Sequence, residues 1–191
     1  MSTENPSPPA GEDEQATDGM AARKASLALL EDVLQRKQAL DHALANQNAF
    51  KALPQRDRAL VRMLVTTCLR RMGQVDDLIE RAMNRDTPRN MTLQNILRIG
   101  VTQILFMEVA DHAAVDTSVR LAEEQRMEKQ KAFVNGVLRT ITREGVGWKH
   151  KQDETQKLSD LNYYIANHDH MTGLPNRRNF FRQLRERLQR A

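Results

Sequence analysis

The chain has 191 residues, 40% hydrophobic and 28% charged, with a formal net charge of +4, an ordinary balance for a globular protein. Its apolar runs fall far short of the ~18–20 residues that span a bilayer, and the acidic opening MSTENPSPPAGEDEQ lacks the apolar stretch of a secretory signal. A single cysteine, Cys68, excludes an intrachain disulfide and a cysteine-built zinc site, so a cytoplasmic, membrane-free protein is expected.

Residues 1–20 carry five acids, no Lys or Arg, and three prolines (Pro6, Pro8, Pro9). With almost nothing to bury, this segment is expected to be a disordered acidic tail. Met20 at its end offers a second start. Residues 21–150 carry 21 Lys and Arg against 15 Asp and Glu, a modest excess that favours an anionic partner. From Ala21 onward the apolar residues recur at helical spacing and glycine is scarce, which predicts helices throughout. Leu27, Leu30, Val33 and Leu34 stripe a first helix, and Asp41, Ala43 and Leu44 mark a short second one. Pro54 precedes a third, with Val61, Leu64, Val65, Cys68 and Met72 on one face, and Gly73 is read as its end. Val75, Leu78, Ile79 and Ala82 mark a fourth, and Asp86-Thr87-Pro88 is a turn.

Leu93, Ile96, Leu97, Gly100, Val101, Ile104 and Leu105 form the longest stripe, wide enough for a central buried helix. A sixth helix carries Val115, Val119 and Ala122 with Asp111 as its expected cap. A seventh carries Phe133, Val134, Val137, Leu138 and Ile141 and is expected to stop near Gly145 and Gly147. Beyond it, Leu158, Leu161, Ile165 and His168 fall at 3-4-3 spacing, enough for a connecting helix but short of the three heptads that argue a coiled coil. Thr172 to Asn176 reads as a turn, and a last helix sets Phe180, Phe181, Leu184 and Leu188 against Arg177, Arg178, Arg182, Arg185, Arg187 and Arg190. The fold class is all-α: about seven helices, then a connecting helix and a short terminal one.

Three segments carry a resemblance: Leu97-Arg98-Ile99-Gly100 running to Phe106, His112-Ala113-Ala114-Val115 with Leu121-Ala122-Glu123, and Phe133-Val134-Asn135-Gly136-Val137-Leu138-Arg139. Together they make residues 21–145 resemble the NusB family, an all-helical RNA-binding fold of transcription antitermination. Asp57-Arg58-Ala59-Leu60 and Leu69-Arg70-Arg71 lean towards the NusB-like N-terminal domain of rRNA cytosine-5 methyltransferases. Residues 146–168 then form a linker helix. Asp169 to Arg178 with Phe180 and Phe181 resembles the opening of a GGDEF diguanylate cyclase domain, without its GGDEF loop or metal-binding aspartates, which implies a fusion cut short or a frame that ends early.

The resemblance implies a non-catalytic module that binds RNA, either a ribosomal RNA or an antitermination-type leader. A ribosomal protein or transcription factor is the implied protein partner, and a homodimer through the connecting helix stays open. The alternative is the sensory or interaction module of a truncated cyclase. Catalytic parts of both relatives are missing, so no enzyme activity, cofactor or metal is expected. The five histidines are scattered. Cys68 lies on an apolar face, where a thiol is a small hydrophobe.

Six residues are carried over as RNA contacts. Arg23 and Lys24 begin the first helix and would neutralise phosphates, although they also read as solvated helix-start residues set against the dipole. Lys129, Lys131 and Phe133 open the seventh helix. Phe133 could stack on a base, yet it shares the core stripe of Val137 and Ile141, which is expected to take most of its surface. Asn135 completes the set, with backbone satisfaction as its competing reading. Arg70 and Arg71 end the third helix, where cations suit the dipole. With eight aromatics in the chain, recognition through backbone charge and shape is expected rather than an aromatic platform.

Overall fold

A computed structural model describes residues 12–83, 88–107 and 109–167, together with Asn179, Arg182 and Arg185; of residues 12–18 and Asn167 the backbone alone is described. From Glu12 to Asn167 the described residues form eight α-helices and one 3-10 turn: α1 (Glu12–Leu34), α2 (Leu40–Asn46), α3 (Asn48–Lys51), α4 (Gln55–Arg70), α5 (Met72–Met83), α6 (Met91–Phe106), α7 (Asp111–Glu124), the 3-10 turn (Glu128–Gln130) and α8 (Lys131–Asn167). Among the described residues there is no strand. The helical period of the apolar residues therefore translates into an all-α fold.

The chain divides after Val146 into two units. In the first, α6 is the central helix: 11 of its 16 residues are buried, and α1, α4, α5 and α7 all pack against it. Leu97, Ile96 and Ile99 on α6 meet an interior completed by Leu27, Leu29 and Leu30 of α1, Leu64 of α4 and Leu121 of α7, each below 2% exposed except Leu27 at 2%. Each such side chain contributes about 1.5–3 kcal/mol on burial. Gly100 sits where three helices meet. A Cβ there would lie 2.7 Å from Leu138 Cδ1 of α8 and 2.9 Å from Ser118 Oγ of α7, so the missing side chain permits the close approach.

Several of the polar groups taken inside are paired, although Asn95 Nδ2 is buried without a hydrogen-bond partner. Arg98 of α6 forks onto Asp76 of α5, Nε to Oδ1 at 2.7 Å and Nη2 to Oδ2 at 2.9 Å, and Nη1 donates to Asn95 Oδ1 at 2.9 Å. Planar two-point contact of this kind fixes orientation as well as adding energy. Ser26 and Ser118 return their hydroxyls to the carbonyls of Ala22 and Ala114.

Several boundaries differ from the sequence reading. The segment read as a disordered tail contributes residues 12–20 to α1, which places Arg23 and Lys24 within the helix instead of at its start. The expected second helix is α2, and a further short helix, α3, follows it after Gln47, whose side chain accepts from Ala49 N. The break between the third and fourth helices falls at Arg71, where φ is −101°, and Gly73 lies inside the first turn of α5. Asp111 is not a cap, since the N-cap position is Ala110 with no side-chain bond. Asn90 instead caps α6 by accepting from Leu93 N at 3.0 Å. The expected seventh helix and the connecting helix are one, α8. Gly145 does not end it, because that position is a packing site: a Cβ would lie 3.1 Å from Leu105 Cδ1 and from Ile141 Cγ2.

In the second unit, Leu158, Leu161, Tyr163, Tyr164 and Ile165 of α8 are exposed. Arg182 donates to Tyr163 Oη at 3.3 Å and to Asn179 Oδ1 at 2.8 Å. His168, the Thr172–Asn176 turn and the apolar residues of the expected last helix lie outside the described residues, as do Asn84 to Thr87.

Candidate nucleic-acid interface

At one end of the helical core the first turn of α8 lies beside the last turn of α7, which also reaches α1. The turn between α7 and the 3-10 segment is tight: Arg126 adopts a left-handed φ of 58°, and Met127 N returns to Ala122 O at 2.9 Å. That reversal carries Lys131 back beside α7, where its ammonium pairs with Glu123. Lys24 of α1 reaches the neighbouring Glu124 at 2.7 Å, with half of its side chain exposed. Residues 24 and 131, far apart in sequence, are thus joined through adjacent glutamates of α7. Lys129 lies close by in the 3-10 turn, exposed and without an ion pair among the described residues. Arg126 is exposed as well; no glycine or asparagine marks its left-handed turn, so sequence reasoning did not single it out.

Arg23 is placed differently. It is 9% exposed, with Nε donating to Gln103 Oε1 of α6 at 2.9 Å and Nη1 to Gly19 O at 3.0 Å. Burial lowers its pKa from the ordinary arginine value, and the buried carboxylate of Asp57 on α4 opposes that shift. A solvated helix-start residue it is not. The helical phase carries the signal: Arg23 falls three residues after Met20, four before Leu27 and seven before Leu30, all buried, whereas Lys24 shares a side with Ala28 and Glu31, both only partly buried.

Phe133 is half-buried, between the two readings offered for it. Asn135 is half-buried too and accepts from Arg139 Nε at 3.1 Å. Lys131, Asn135 and Arg139 form one wall of a groove of about 580 Å³ whose other wall is the start of α7, with Asp111, His112 and Asp116. The structure therefore brings Lys24, Lys129 and Lys131 together, sets Asn135 along an adjoining groove, and takes Arg23 away from solvent.

The thiol of Cys68 is buried. Desolvation pushes its pKa up to about 11, only partly opposed by the Thr102 hydroxyl and the Arg98 guanidinium. It is neither exposed nor ionised near neutral pH, and so unsuited to nucleophilic work. Among the described residues no three His, Cys, Asp or Glu side chains converge to hold a metal ion, and no helix is long and apolar enough to cross a membrane.

Residues 20–143 match the family model described as the NusB family. The chain belongs to the NusB family. Its fold is similar to solved NusB structures: antitermination factor NusB in complex with NusE and dsRNA (24% identity, TM-score 0.56, covering 68% of this chain and 97% of that one), and NusB of T. maritima (21% identity, TM-score 0.57, covering 68% and 91%). Among curated proteins it is similar to the ribosomal RNA small subunit methyltransferase B of Escherichia coli O1:K1 / APEC, 28% identical over 153 residues. That match covers 80% of this chain and 33% of the methyltransferase, so the chain spans about a third of the length of this relative. None of these likenesses carries the GGDEF resemblance of residues 169–191. Within that segment the structure describes Asn179, Arg182 and Arg185 alone.

Proposed function

We propose that this NusB-family chain is a non-catalytic RNA-binding module, and that its contact surface is the end of the core where α1, α7 and α8 meet. The observation that carries the reading is the convergence there of Lys24, Lys129 and Lys131 from two distant stretches of sequence. Exposed ion pairs such as Lys24–Glu124 contribute about 0–1 kcal/mol, so a phosphate can replace the glutamate as the partner of either lysine. Asn135 and the accessible part of Phe133 lie next to these cations and would contact bases or sugars. Arg23 acts from beneath as a positioning residue that fixes α1 against α6.

Likeness to a methyltransferase that names the small-subunit rRNA supports docking of ribosomal RNA for base methylation. Likeness to NusB bound with NusE and dsRNA supports the antitermination version of the same role, with a ribosomal protein or transcription factor as co-partner. A cytoplasmic location fits either. The alternative role, as input to a diguanylate cyclase, has no support among these relatives.

Fluorescence anisotropy of a labelled small-subunit rRNA stem-loop and of a single-stranded antitermination-type leader, at two salt concentrations, tests the proposal. Affinity should fall with salt, by a slope near −0.7 per neutralised phosphate on single strands, and should drop in Lys24→Gln/Lys131→Gln. Binding that ignores salt, or is unchanged in that variant, overturns the assignment of this surface.

A further inference from the structure

The outer face of α4 presents a different pattern of charge. Arg56, Arg58, Arg62 and Arg70 are all exposed, and none forms an ion pair among the described residues. Asp57 is the one carboxylate in α4, and it is buried on the opposite face with Val61, Leu64, Val65 and Cys68. The arginines are therefore spread over the solvent-facing half of the helix with no acid among them, Arg58 and Arg62 one turn apart and Arg70 about 120° round the axis from Arg58. Arg58 to Arg70 is twelve residues, or about 18 Å of helix.

Arg70 suits the dipole in the last turn, but the arginines at the other end work against the stability of the helix. Arg56 and Arg58 occupy its first turn, where the dipole disfavours cations, and Arg58 and Arg62 are like charges one turn apart. A merely soluble face would mix signs, as α5 and α7 do with Asp77–Arg81 and Asp116–Arg120. Arg62 is also held in place, its guanidinium 5.1 Å above the ring of Phe50. Such stacking orders the side chain while its charge remains available.

We propose that the outer face of α4 is a second anion-binding surface that takes the phosphate backbone of RNA. Its charge is uncompensated, whereas Lys24 and Lys131 at the α1–α7–α8 end already have glutamate partners. Planar guanidiniums suit two-point contact with phosphate oxygens. The inference rests on the RNA reading above and assigns part of the affinity to residues that reading does not use.

The test measures anisotropy of the labelled rRNA stem-loop over a salt series with the full chain. The proteins are wild type, Arg58→Gln/Arg62→Gln/Arg70→Gln, Arg58→Lys/Arg62→Lys/Arg70→Lys, and Lys24→Gln/Lys129→Gln/Lys131→Gln. The glutamine variant should bind at least tenfold more weakly at low salt, with a slope shallower by about 2 for three lost phosphates. The lysine variant should keep the wild-type slope, which separates lost charge from lost folding. A wild-type slope in the glutamine variant overturns the inference while leaving the RNA reading intact if the Lys24 triple variant loses affinity. No binding by wild type overturns both. Phosphatidylserine vesicles supply the remaining arm: loss of vesicle binding in the glutamine variant, with RNA affinity unchanged, makes the face a lipid surface and overturns the assignment to RNA.

Discussion

At the scale of single residues, neighbours in sequence do opposite work. Arg23 and Lys24 are adjacent cations, yet one is buried between α1, α4 and α6 and the other reaches solvent through a glutamate pair. Arg23→Met leaves Gln103 without its donor and removes the cation facing Asp57 inside the core. Breaking such a buried arrangement costs about 3 kcal/mol, whereas Lys24→Met should cost under about 1 kcal/mol because its ion pair is exposed. Urea denaturation of the two variants should show that separation, and equal midpoints would contradict the placement of Arg23. Cys68 supplies a second contrast. A thiol held at about 11 by burial is protonated at pH 8, so the folded protein should resist iodoacetamide and react once unfolded in urea. Labelling as fast in the native state as in urea would show that the α4 face opens to solvent.

Among the elements, α8 joins what the sequence reading divides. Two glycines two residues apart look like a stop, but their surroundings differ. A Cβ on Gly145 would press on Leu105 and Ile141 at 3.1 Å, while a Cβ on Gly147 would meet nothing within 4 Å. Gly147→Ala should therefore stabilise by about 0.5–1 kcal/mol through helix propensity alone. Gly145→Ala gains the same propensity but must displace packed side chains, with a net loss of about 1–2 kcal/mol. Thermal melts of the two variants should move in opposite directions; a shift upward in both would mean that Leu105 yields freely. The same comparison explains why helix ends were harder to read than helices. The periodic stripes placed every principal helix of the core, but composition cannot tell a glycine that ends a helix from one that lets another helix come near.

For the whole molecule, the gradient of burial predicts a gradient of motion. α6 is enclosed by four helices, whereas residues 154–166 of α8 are exposed at every position. Protection against hydrogen exchange scales with local burial and packing. Amides in the middle of α6 should exchange only through global unfolding, and those from Leu158 to Ile165 should exchange faster by orders of magnitude. Uniform protection along α8 would mean that its exposed apolar residues are covered in solution, and sedimentation would then show whether a second copy covers them. Charge is also distributed at this scale: the lysines at the α1–α7–α8 end are largely matched by glutamates, and the arginines of α4 are not.

The amino-acid order alone determined that this chain is helical, most of the residues that line the core, and that the stretch around Gly100 is the central helix. These properties follow from the 3.6-residue period of apolar side chains, a local quantity that survives without any knowledge of neighbours. It also contained the phase that buries Arg23, since that residue shares a stripe with Met20, Leu27 and Leu30. The tertiary structure alone decided which cations meet. Lys24 and Lys131 are brought together by adjacent glutamates of α7 after a left-handed turn at Arg126, and nothing in their separate segments specifies that meeting. Pairing across such distances depends on how helices cross and pack, which is settled by the whole core.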